Sequence, residues 1–233
     1  MQSAEPIGAA RERATREVAV SRYLADRTAH VVAPMVELAG PHVIASSVVT
    51  LWPYVKSDRT ANETDVPLAA KMLASVHEAF LDYDDELPPY TQALDRCWTV
   101  LDDNFASAAL SKDDRHLLKT QYCRLRSKVE ETMINSWVPL HGDAHLGNLL
   151  LCKDRSLWTD FEDACRGPCE YDIAGLPLAA WSHFSDADPE RIRLYADLKS
   201  VCVAVWCWSS VSRSAEVREA AEYHLHRVKQ LSF

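Results

Sequence analysis

The sequence predicts an α+β fold in which a small amino-terminal lobe, a helix with short antiparallel strands, precedes a larger and mainly helical lobe that carries a hairpin. Two stretches, 11–25 and 66–80, have apolar residues at helical spacing. Short apolar runs at Val138–Leu140 and Leu149–Leu151 have the length and composition of buried strands. The residues between these runs, 141–148, are mostly polar, so we expect a loop with a chemical role.

The predicted strands are bounded by turn residues. Gly40-Pro41 separates two candidate strands, 31–38 and 42–50, because glycine and proline favour turns. A further apolar run at 156–159 follows Leu149–Leu151 closely enough to form a hairpin with it. The unit around the polar residues is therefore predicted as strand, loop, hairpin and turn.

The predicted lobes follow from this order of elements. Residues 51–55 are predicted to form a linker that follows the small lobe. The small lobe and this linker together occupy residues 1–55. The helical lobe then occupies 56–233 and carries the polar loop and the hairpin. Its predicted helices are 66–80, which has a proline in its first turn as helices tolerate, 115–134, 190–211 and 215–230.

Composition and charge exclude several classes of protein. The chain has 233 residues, of which 48% are hydrophobic, so it can bury a sizeable core. Its longest apolar stretch, Val201 to Trp208, is far shorter than the roughly twenty residues of a membrane span. Without a secretion signal we expect a cytoplasmic protein. The net charge of −9 argues against nucleic-acid binding and suits a cationic small molecule. No feature specifies an oligomeric state.

The cysteines do not predict a metal site. Cys152, Cys165 and Cys169 lie near the polar segment, but they lack the paired Cys-x-x-Cys spacing of a zinc site. The chain has seven cysteines, an odd number, which favours reduced thiols in a cytosolic protein.

The polar segment 141–148, His-Gly-Asp-Ala-His-Leu-Gly-Asn, and the acidic residues Asp-Phe-Glu-Asp at 160–163 indicate phosphoryl transfer. Asp143 and Asn148 have the spacing of the catalytic aspartate and asparagine in protein kinases. Such a reaction needs a base that orients the attacking hydroxyl, and oxygen ligands for Mg²⁺. We therefore predict Asp143 as the base and Asn148 and Asp160 as ligands of the Mg²⁺ that accompanies ATP.

Together with Gly-Pro-Cys-Glu-Tyr-Asp-Ile-Ala at 167–174, these motifs resemble the aminoglycoside phosphotransferase and choline kinase group. The resemblance implies a protein-kinase-like fold and transfer of the γ-phosphoryl group of ATP to a hydroxyl of a small molecule. The acceptor is expected to be cationic, an aminoglycoside or an amino alcohol. The resemblance also implies that Asp172 supports the catalytic loop by hydrogen bonding.

Other residues are assigned through the same resemblance. Glu17 is similar to the helix glutamate that pairs with a strand lysine, and an ordinary exposed helix charge is the alternative. Trp52, Tyr54 and Val55 resemble the hinge whose backbone meets adenine, whereas Pro53 has no N–H to donate.

Four residues of the two motifs have less definite roles. We expect His141 to be structural. His145 has two interpretations, a scaffold of the loop or a contact near the phosphates. Glu162 and Asp163 either assist metal or substrate binding or form a solvated acidic turn.

The sequence departs from this family at its amino terminus. Such enzymes have a glycine-rich loop over the phosphates and a lysine on the third strand. Here only Gly8 precedes Gly40, and the first lysine is Lys56. Three interpretations stand: a chain shortened relative to the full enzyme, a non-catalytic relative that binds a small molecule or nucleotide without turnover, and an active enzyme with a reduced nucleotide lobe.

Overall fold

A computed structural model describes residues 6–28, 30–103, 109–132 and 136–231. These residues form seven α-helices and six strands of three residues each, all strand pairs being antiparallel, which confirms the predicted α+β class. The helices are α1 (Ile7–Ala25), α2 (Val66–Phe80), α3 (Thr91–Asp102), α4 (Lys112–Glu131), α5 (Glu170–Ile173), α6 (Pro189–Ser209) and α7 (Ala215–Lys229). The strands are β1 (His42–Ile44), β2 (Ser47–Val49), β3 (Val138–Leu140), β4 (Leu149–Leu151), β5 (Ser156–Trp158) and β6 (Cys165–Gly167).

The chain divides into two compact units. One consists of α3, α4, α6 and α7, and the second contains α1, α2, α5 and all six strands. The predicted division into lobes at residues 1–55 and 56–233 stays a prediction. Among the helices of the described ranges, none combines the length and the apolar composition that a bilayer span requires. All seven cysteines are free thiols.

In the helical unit, α6 packs against α3, α4 and α7. The rings of Tyr90 and Tyr195 meet edge to face with centroids 5.7 Å apart. Three of its helices begin at side-chain caps: Ser111 precedes α4, Asp188 precedes α6 and Ser214 precedes α7. Each cap accepts hydrogen bonds from N–H groups of the first turn, which fixes where the helix begins.

The second unit is built around the apolar face of α2. Leu73, Val76 and Phe80 of this helix are fully buried and belong to one core cluster with Trp158 and Phe161. Burial of a side chain of this size contributes about 1.5–3 kcal/mol. Because Trp158 ends β5 and Phe161 lies in the turn that follows, this core anchors the hairpin and the acidic turn.

Two short ladders hold the polar loop and the acidic turn next to each other. β4 pairs with β5 in the predicted hairpin, with Leu149 opposite Trp158. β3 pairs with β6, so that Leu140 lies opposite Cys165. The polar loop 141–148 connects β3 to β4, and the turn at 160–163 connects β5 to β6. Both loops therefore leave the ladders side by side.

The predicted pair of strands at 31–38 and 42–50 is wrong. Within 42–50 the chain turns back on itself, so that β1 pairs with β2. Small residues interrupt the apolar run at this point, and Ala45 has a φ of +54°, the left-handed conformation that tight hairpin turns use. Val31 instead forms a single bridge to Trp158, and its neighbour Val32 donates to the Trp158 carbonyl at 3.0 Å.

The helix predicted at 66–80 is present with these ends, the other predicted helices are present with shifted ends, and α3 was not predicted. The first helix begins at Ile7 instead of Arg11. The helix predicted at 115–134 spans Lys112–Glu131, because Ser111 caps it, and Ile134 lies outside the described residues. In α3 only Leu94, Cys97 and Leu101 are buried. Three apolar positions are too few for the sequence pattern to predict a helix within the polar residues around them.

Candidate active site

Asp172 in α5 fixes the start of the polar loop. Its side chain is fully buried. One carboxylate oxygen, Oδ1, accepts a hydrogen bond from the Gly142 N–H at 2.8 Å, and the other, Oδ2, accepts one from the His141 N–H at 2.8 Å. The Nε2 atom of His77, at the end of α2, lies 2.8 Å from the same Oδ2. A buried carboxylate with several N–H donors is stable in this position and holds the loop backbone rigidly.

His141 joins the loop to β5 from inside the unit. Its ring stacks on Phe161 with centroids 4.2 Å apart. The Nδ1 atom accepts from the Asp143 N–H at 3.4 Å, and Nε2 lies 3.1 Å from the Thr159 carbonyl oxygen, so the proton of the neutral ring belongs on Nε2. Burial lowers the pKa of His141, which keeps the ring neutral. The structure thus places His141 as a scaffold of the loop.

Gly142 allows the loop to touch the acidic turn. Its φ of +88° lies in the left-handed region. A Cβ atom at this position would lie 1.9 Å from the carbonyl oxygen of Asp163, far inside van der Waals contact. Any side chain here would push the loop and the turn apart.

Asp143 and Asn148 occupy the two ends of the loop segment that faces the turn. The Asn148 side chain is buried, and its Nδ2 donates to the Asp143 carbonyl at 2.9 Å. Within the described part of the chain, the Oδ1 atom of Asn148 accepts no hydrogen bond. The hydrogen bond from Nδ2 to Asp143 orients the amide of Asn148 so that Oδ1, an oxygen suited to a hard cation, is available. The Asp143 side chain is half-buried.

Asp160 begins the acidic turn in a strained conformation. Its φ is +69°, a region that aspartate tolerates better than most residues. Although part of the side chain reaches solvent, desolvation by the surrounding protein raises the pKa of Asp160, and the charges of Asp143 and Asp163 raise it further. His145 and Arg13 act in the opposite direction. The like charges of these carboxylates create a place where a cation would be stabilised.

The donor set suits a cation that takes few protein ligands. Among the described residues, no three histidine, cysteine, aspartate or glutamate side chains converge on one point as a complete metal cage. Asn148 and Asp160 supply oxygen atoms, which Mg²⁺ prefers, and Mg²⁺ usually takes its remaining ligands from water and substrate phosphates. The residues present therefore fit a magnesium ion that arrives with a nucleotide.

Helix α1 turns Glu17 toward the acidic turn. Burial raises the pKa of Glu17 to about 7, and the charges of Asp160 and Glu162 contribute in the same direction while Arg13 opposes them. Arg13 Nη1 lies 3.3 Å from Glu162 Oε1, and Arg16 Nη2 donates to the Glu162 carbonyl at 2.7 Å.

Sequence reasoning missed the two arginines as members of the site. The signal that could have found them is their spacing with the glutamate, since positions 13, 16 and 17 lie on one face of a helix. Glu162 contacts α1 through its carboxylate and its carbonyl, and the backbone of Asp163 lies against Gly142 of the polar loop. Their part in metal or substrate binding stays a prediction.

The predicted hinge borders a cavity of about 470 Å³. Tyr54 and Val55 line it, together with Val32 and Leu157. Trp52 is not among the lining residues, and its indole N–H donates to Thr50 Oγ1 at 2.9 Å. The volume lies in the range of small-molecule sites, and the walls are largely apolar.

Comparison with known proteins identifies the family of the chain. Residues 4–208 match the model of the phosphotransferase enzyme family. The chain belongs to this family. No protein of curated function matches it by sequence. Membership confirms the resemblance seen in the polar and acidic motifs, while the roles of the individual residues stay predictions.

Solved structures of phosphotransferases share the fold. The choline kinase LicA from Streptococcus pneumoniae is 12% identical, with a TM-score of 0.71 over 97% of this chain and 82% of that chain. The amicoumacin kinase hAmiN, in complex with AMP-PNP, Ca²⁺ and amicoumacin, is 13% identical, with a TM-score of 0.67 over 92% and 76%. A thermostable mutant of the aminoglycoside phosphotransferase APH(4)-Ia, in complex with AMP-PNP and hygromycin B, is 16% identical, with a TM-score of 0.65 over 95% and 82%. These likenesses establish the kinase-like fold.

Proposed function

We propose that this member of the phosphotransferase family transfers the γ-phosphoryl group of ATP to a hydroxyl of a small, cationic molecule. The observation that carries the proposal is the placement of Asp143, Asn148 and Asp160 on two adjacent loops. The loop of Asp143 and Asn148 is fixed from below by the buried carboxylate of Asp172. Rigid placement of few polar groups is what phosphoryl transfer asks of a protein.

In this mechanism Asp143 is the base. Its carboxylate accepts a hydrogen bond from the acceptor hydroxyl, orients it for in-line attack and receives its proton as the new oxygen–phosphorus bond forms. The bond between the γ-phosphorus and the β–γ bridging oxygen breaks in the same step, and ADP leaves. Asn148 Oδ1 and the Asp160 carboxylate would hold Mg²⁺, which supplies charge neutralisation at the transferring phosphate. Desolvation and, after it, the charges of Asp143 and Asp163 raise the pKa of Asp160, and a bound cation would stabilise the carboxylate against both, which supports this assignment.

The nucleotide base has a suitable cavity at the hinge. We place adenine in the cavity lined by Tyr54 and Val55, where Val32 and Leu157 provide apolar walls. In the described part of the chain, the backbone N–H and C=O groups of Tyr54 and Val55 form no hydrogen bonds, so they can meet the edge of a base. Trp52 leads into this segment from β2. In support, hAmiN and the APH(4)-Ia mutant were both solved with AMP-PNP, and hAmiN also with Ca²⁺.

The acceptor is proposed to carry an amino or ammonium group. The acidic turn with Glu162 and Asp163, and the net charge of −9, favour a cation near the site. Amicoumacin and hygromycin B are the small molecules bound by two structures of the same fold, and LicA is a choline kinase.

A second candidate function is binding without turnover. The observation that favours it is the environment of Glu17, whose charged neighbours among the described residues are Asp160, Glu162 and Arg13, with no lysine among them. Loss of one preorganised group that stabilises transferring charge costs about 10²–10³ in rate. The two functions differ in turnover and share ligand binding.

The experiment that tests the proposal measures binding and turnover on the same samples. Calorimetric titration of Mg·ATP into the wild-type chain should show binding, and a panel of aminoglycosides and amino alcohols should give acceptor-dependent ADP. Asp143→Asn should lower kcat by about 10²–10⁴, the usual contribution of a general base, without weakening Mg·ATP binding. Asp154→Asn, an exposed residue in the turn between β4 and β5, is the control and should change neither.

Each result decides between the candidates. Binding with acceptor-dependent ADP supports the phosphotransferase. Binding of Mg·ATP with no turnover for any acceptor of the panel would support the non-catalytic candidate. An Asp143→Asn variant with wild-type kcat would remove Asp143 from the role of base.

A further inference from the structure

His145 lies between the proposed base and the turn that leads to Asn148. It precedes the short 3₁₀ turn Leu146–Asn148, and its Nδ1 atom accepts a hydrogen bond from the Gly147 N–H at 3.0 Å. Only an unprotonated ring nitrogen can accept, so the proton of the neutral ring is on Nε2. The Gly147 backbone therefore fixes the tautomer of His145.

The protonated nitrogen faces the base. His145 Nε2 lies 3.4 Å from Asp143 Oδ2. We propose that His145 is a positioning residue for Asp143: its Nε2–H attracts one carboxylate oxygen and thereby favours one orientation of the carboxylate toward the substrate hydroxyl. This inference rests on the proposed phosphotransferase function, because it gives His145 a part in orienting the base of that reaction.

Gly147 is fitted to the ring of His145. A Cβ atom at position 147 would lie 2.6 Å from Cε1 and 2.8 Å from Nδ1 of that ring, and the third-nearest atom is its Nε2. A methyl group there would therefore push the ring away and break the bond that sets its tautomer. Gly147 has no positive φ that would by itself require glycine, so the close ring is the reason that the structure gives for this residue.

The exposure of the pair separates positioning from stabilisation. About half of each side chain is open to solvent, 45% for His145 and 48% for Asp143. Interactions between such exposed groups add little to stability. The arrangement is therefore expected to affect the orientation of Asp143 much more than the folding of the chain. If residue 145 served only to cap the 3₁₀ turn, it would need only an acceptor for the Gly147 N–H, and shorter polar side chains also provide one.

Steady-state kinetics with four variants test the inference. His145→Ala should lower kcat about 10- to 100-fold, the range expected when a reacting group loses its alignment. The KM for ATP and the Kd for Mg·ATP should stay unchanged. His145→Gln, whose amide can still donate to Asp143, should recover part of kcat. Gly147→Ala should reproduce most of the loss, and Gly8→Ala is its matched control, because a Cβ at Gly8 meets no atom within 4 Å.

A double-mutant cycle gives the decisive comparison. If displacement of the ring causes the effect of Gly147→Ala, then His145→Ala/Gly147→Ala should be no slower than His145→Ala alone. Additive losses would overturn the inference. It would also be overturned if His145→Ala raised the KM for ATP at an unchanged kcat, since His145 would then contact the phosphates. A wild-type chain without acceptor-dependent ADP would refute the proposed function itself, whereas wild-type turnover that persists in His145→Ala would refute only this inference.

Discussion

Two carboxylates that lie on different elements around the polar loop, Asp172 and Asp160, have opposite environments. Asp172 lies in α5, is fully buried and accepts hydrogen bonds from the His141 and Gly142 backbones, with His77 beside it. Asp160, in the acidic turn, is partly open to solvent and has a strained φ of +69°. Desolvation by the surrounding protein raises the pKa of Asp160, and the neighbouring charges of Asp143 and Asp163 raise it further.

The difference shows how aspartate can serve both as a structural residue that holds a loop and as a residue that binds a cation. A carboxylate surrounded by N–H donors is stabilised in its charged form and contributes to the fold. A carboxylate surrounded by other carboxylates destabilises the fold in its charged form and is relieved by a cation. The environment, and not the residue type, therefore separates the structural Asp172 from the proposed metal ligand Asp160.

The largest effect is expected from Asp172→Ala. The substitution leaves the buried N–H groups of His141 and Gly142 without acceptors, and it removes the partner of His77. Each buried donor left unsatisfied costs about 1–3 kcal/mol, so the two N–H groups together account for a large part of the stability of an ordinary domain. Chemical denaturation, monitored by circular dichroism, should show this loss in the free energy of unfolding.

Two variants make this test specific. Asp172→Asn keeps one acceptor oxygen and should lose less than Asp172→Ala. Asp154→Ala, at an exposed position in the turn between β4 and β5, should stay within about 0.5 kcal/mol of the wild type. If Asp172→Ala were as stable as Asp154→Ala, the contrast between structural and binding carboxylates would fail.

Asp160→Asn should weaken the binding of Mg·ATP without lowering the stability of the metal-free chain. Asparagine tolerates the left-handed conformation about as well as aspartate, so the turn is preserved. The raised pKa of Asp160 means that its charge is disfavoured in the folded chain, and removal of that charge should leave the thermal midpoint equal or higher without metal. Mg·ATP binding should weaken at least about 10-fold, because the cation loses an anionic ligand.

The comparison of the two readouts is decisive for Asp160. Differential scanning calorimetry without metal and titration with Mg·ATP should be carried out on the same preparation. A variant that loses stability and keeps its affinity would show that Asp160 belongs with Asp172 on the structural side.

The local part of the site could be predicted from the sequence. A polar loop between two apolar runs specifies strand, loop and hairpin within a short stretch of chain, and β3, β4 and β5 lie at the predicted positions. The spacing of Asp143 and Asn148 identifies the chemistry because both residues belong to one continuous segment. Residues of one short loop stay close in space, so their spacing by itself carries information about the site.

The long-range part of the site could not be predicted. Arg13 and Arg16 reach Glu162 across about 150 residues, and no local pattern specifies that contact. Val31 pairs with Trp158 instead of forming a strand with its own neighbours, because the backbone of Trp158 exchanges hydrogen bonds with His30 and Val32 on either side of Val31. Tertiary partners of this kind override local propensity.

Asp65 gives the smallest expected effect and the finest test of the contrast. It precedes α2, its side chain is only 8% exposed, and it accepts from the Asn62 N–H at 2.9 Å and from both terminal nitrogens of Arg59. The bond from Arg59, followed by that from Asn62, lowers the pKa of Asp65 from 3.8 to about 2. By its environment Asp65 belongs with Asp172.

The pH dependence follows from the sign of this shift. A folded pKa below the unfolded value means that Asp65 stabilises the fold above pH 3.8 and loses that contribution as the pH falls toward about 2. Asp65→Asn should therefore be less stable than the wild type near neutral pH, and the difference should shrink steadily over that acid range. Arg59→Ala should give the same convergence in urea titrations, because it removes the other half of the pair. A difference that stays constant with pH would show that packing, and not the charge of Asp65, stabilises the start of α2.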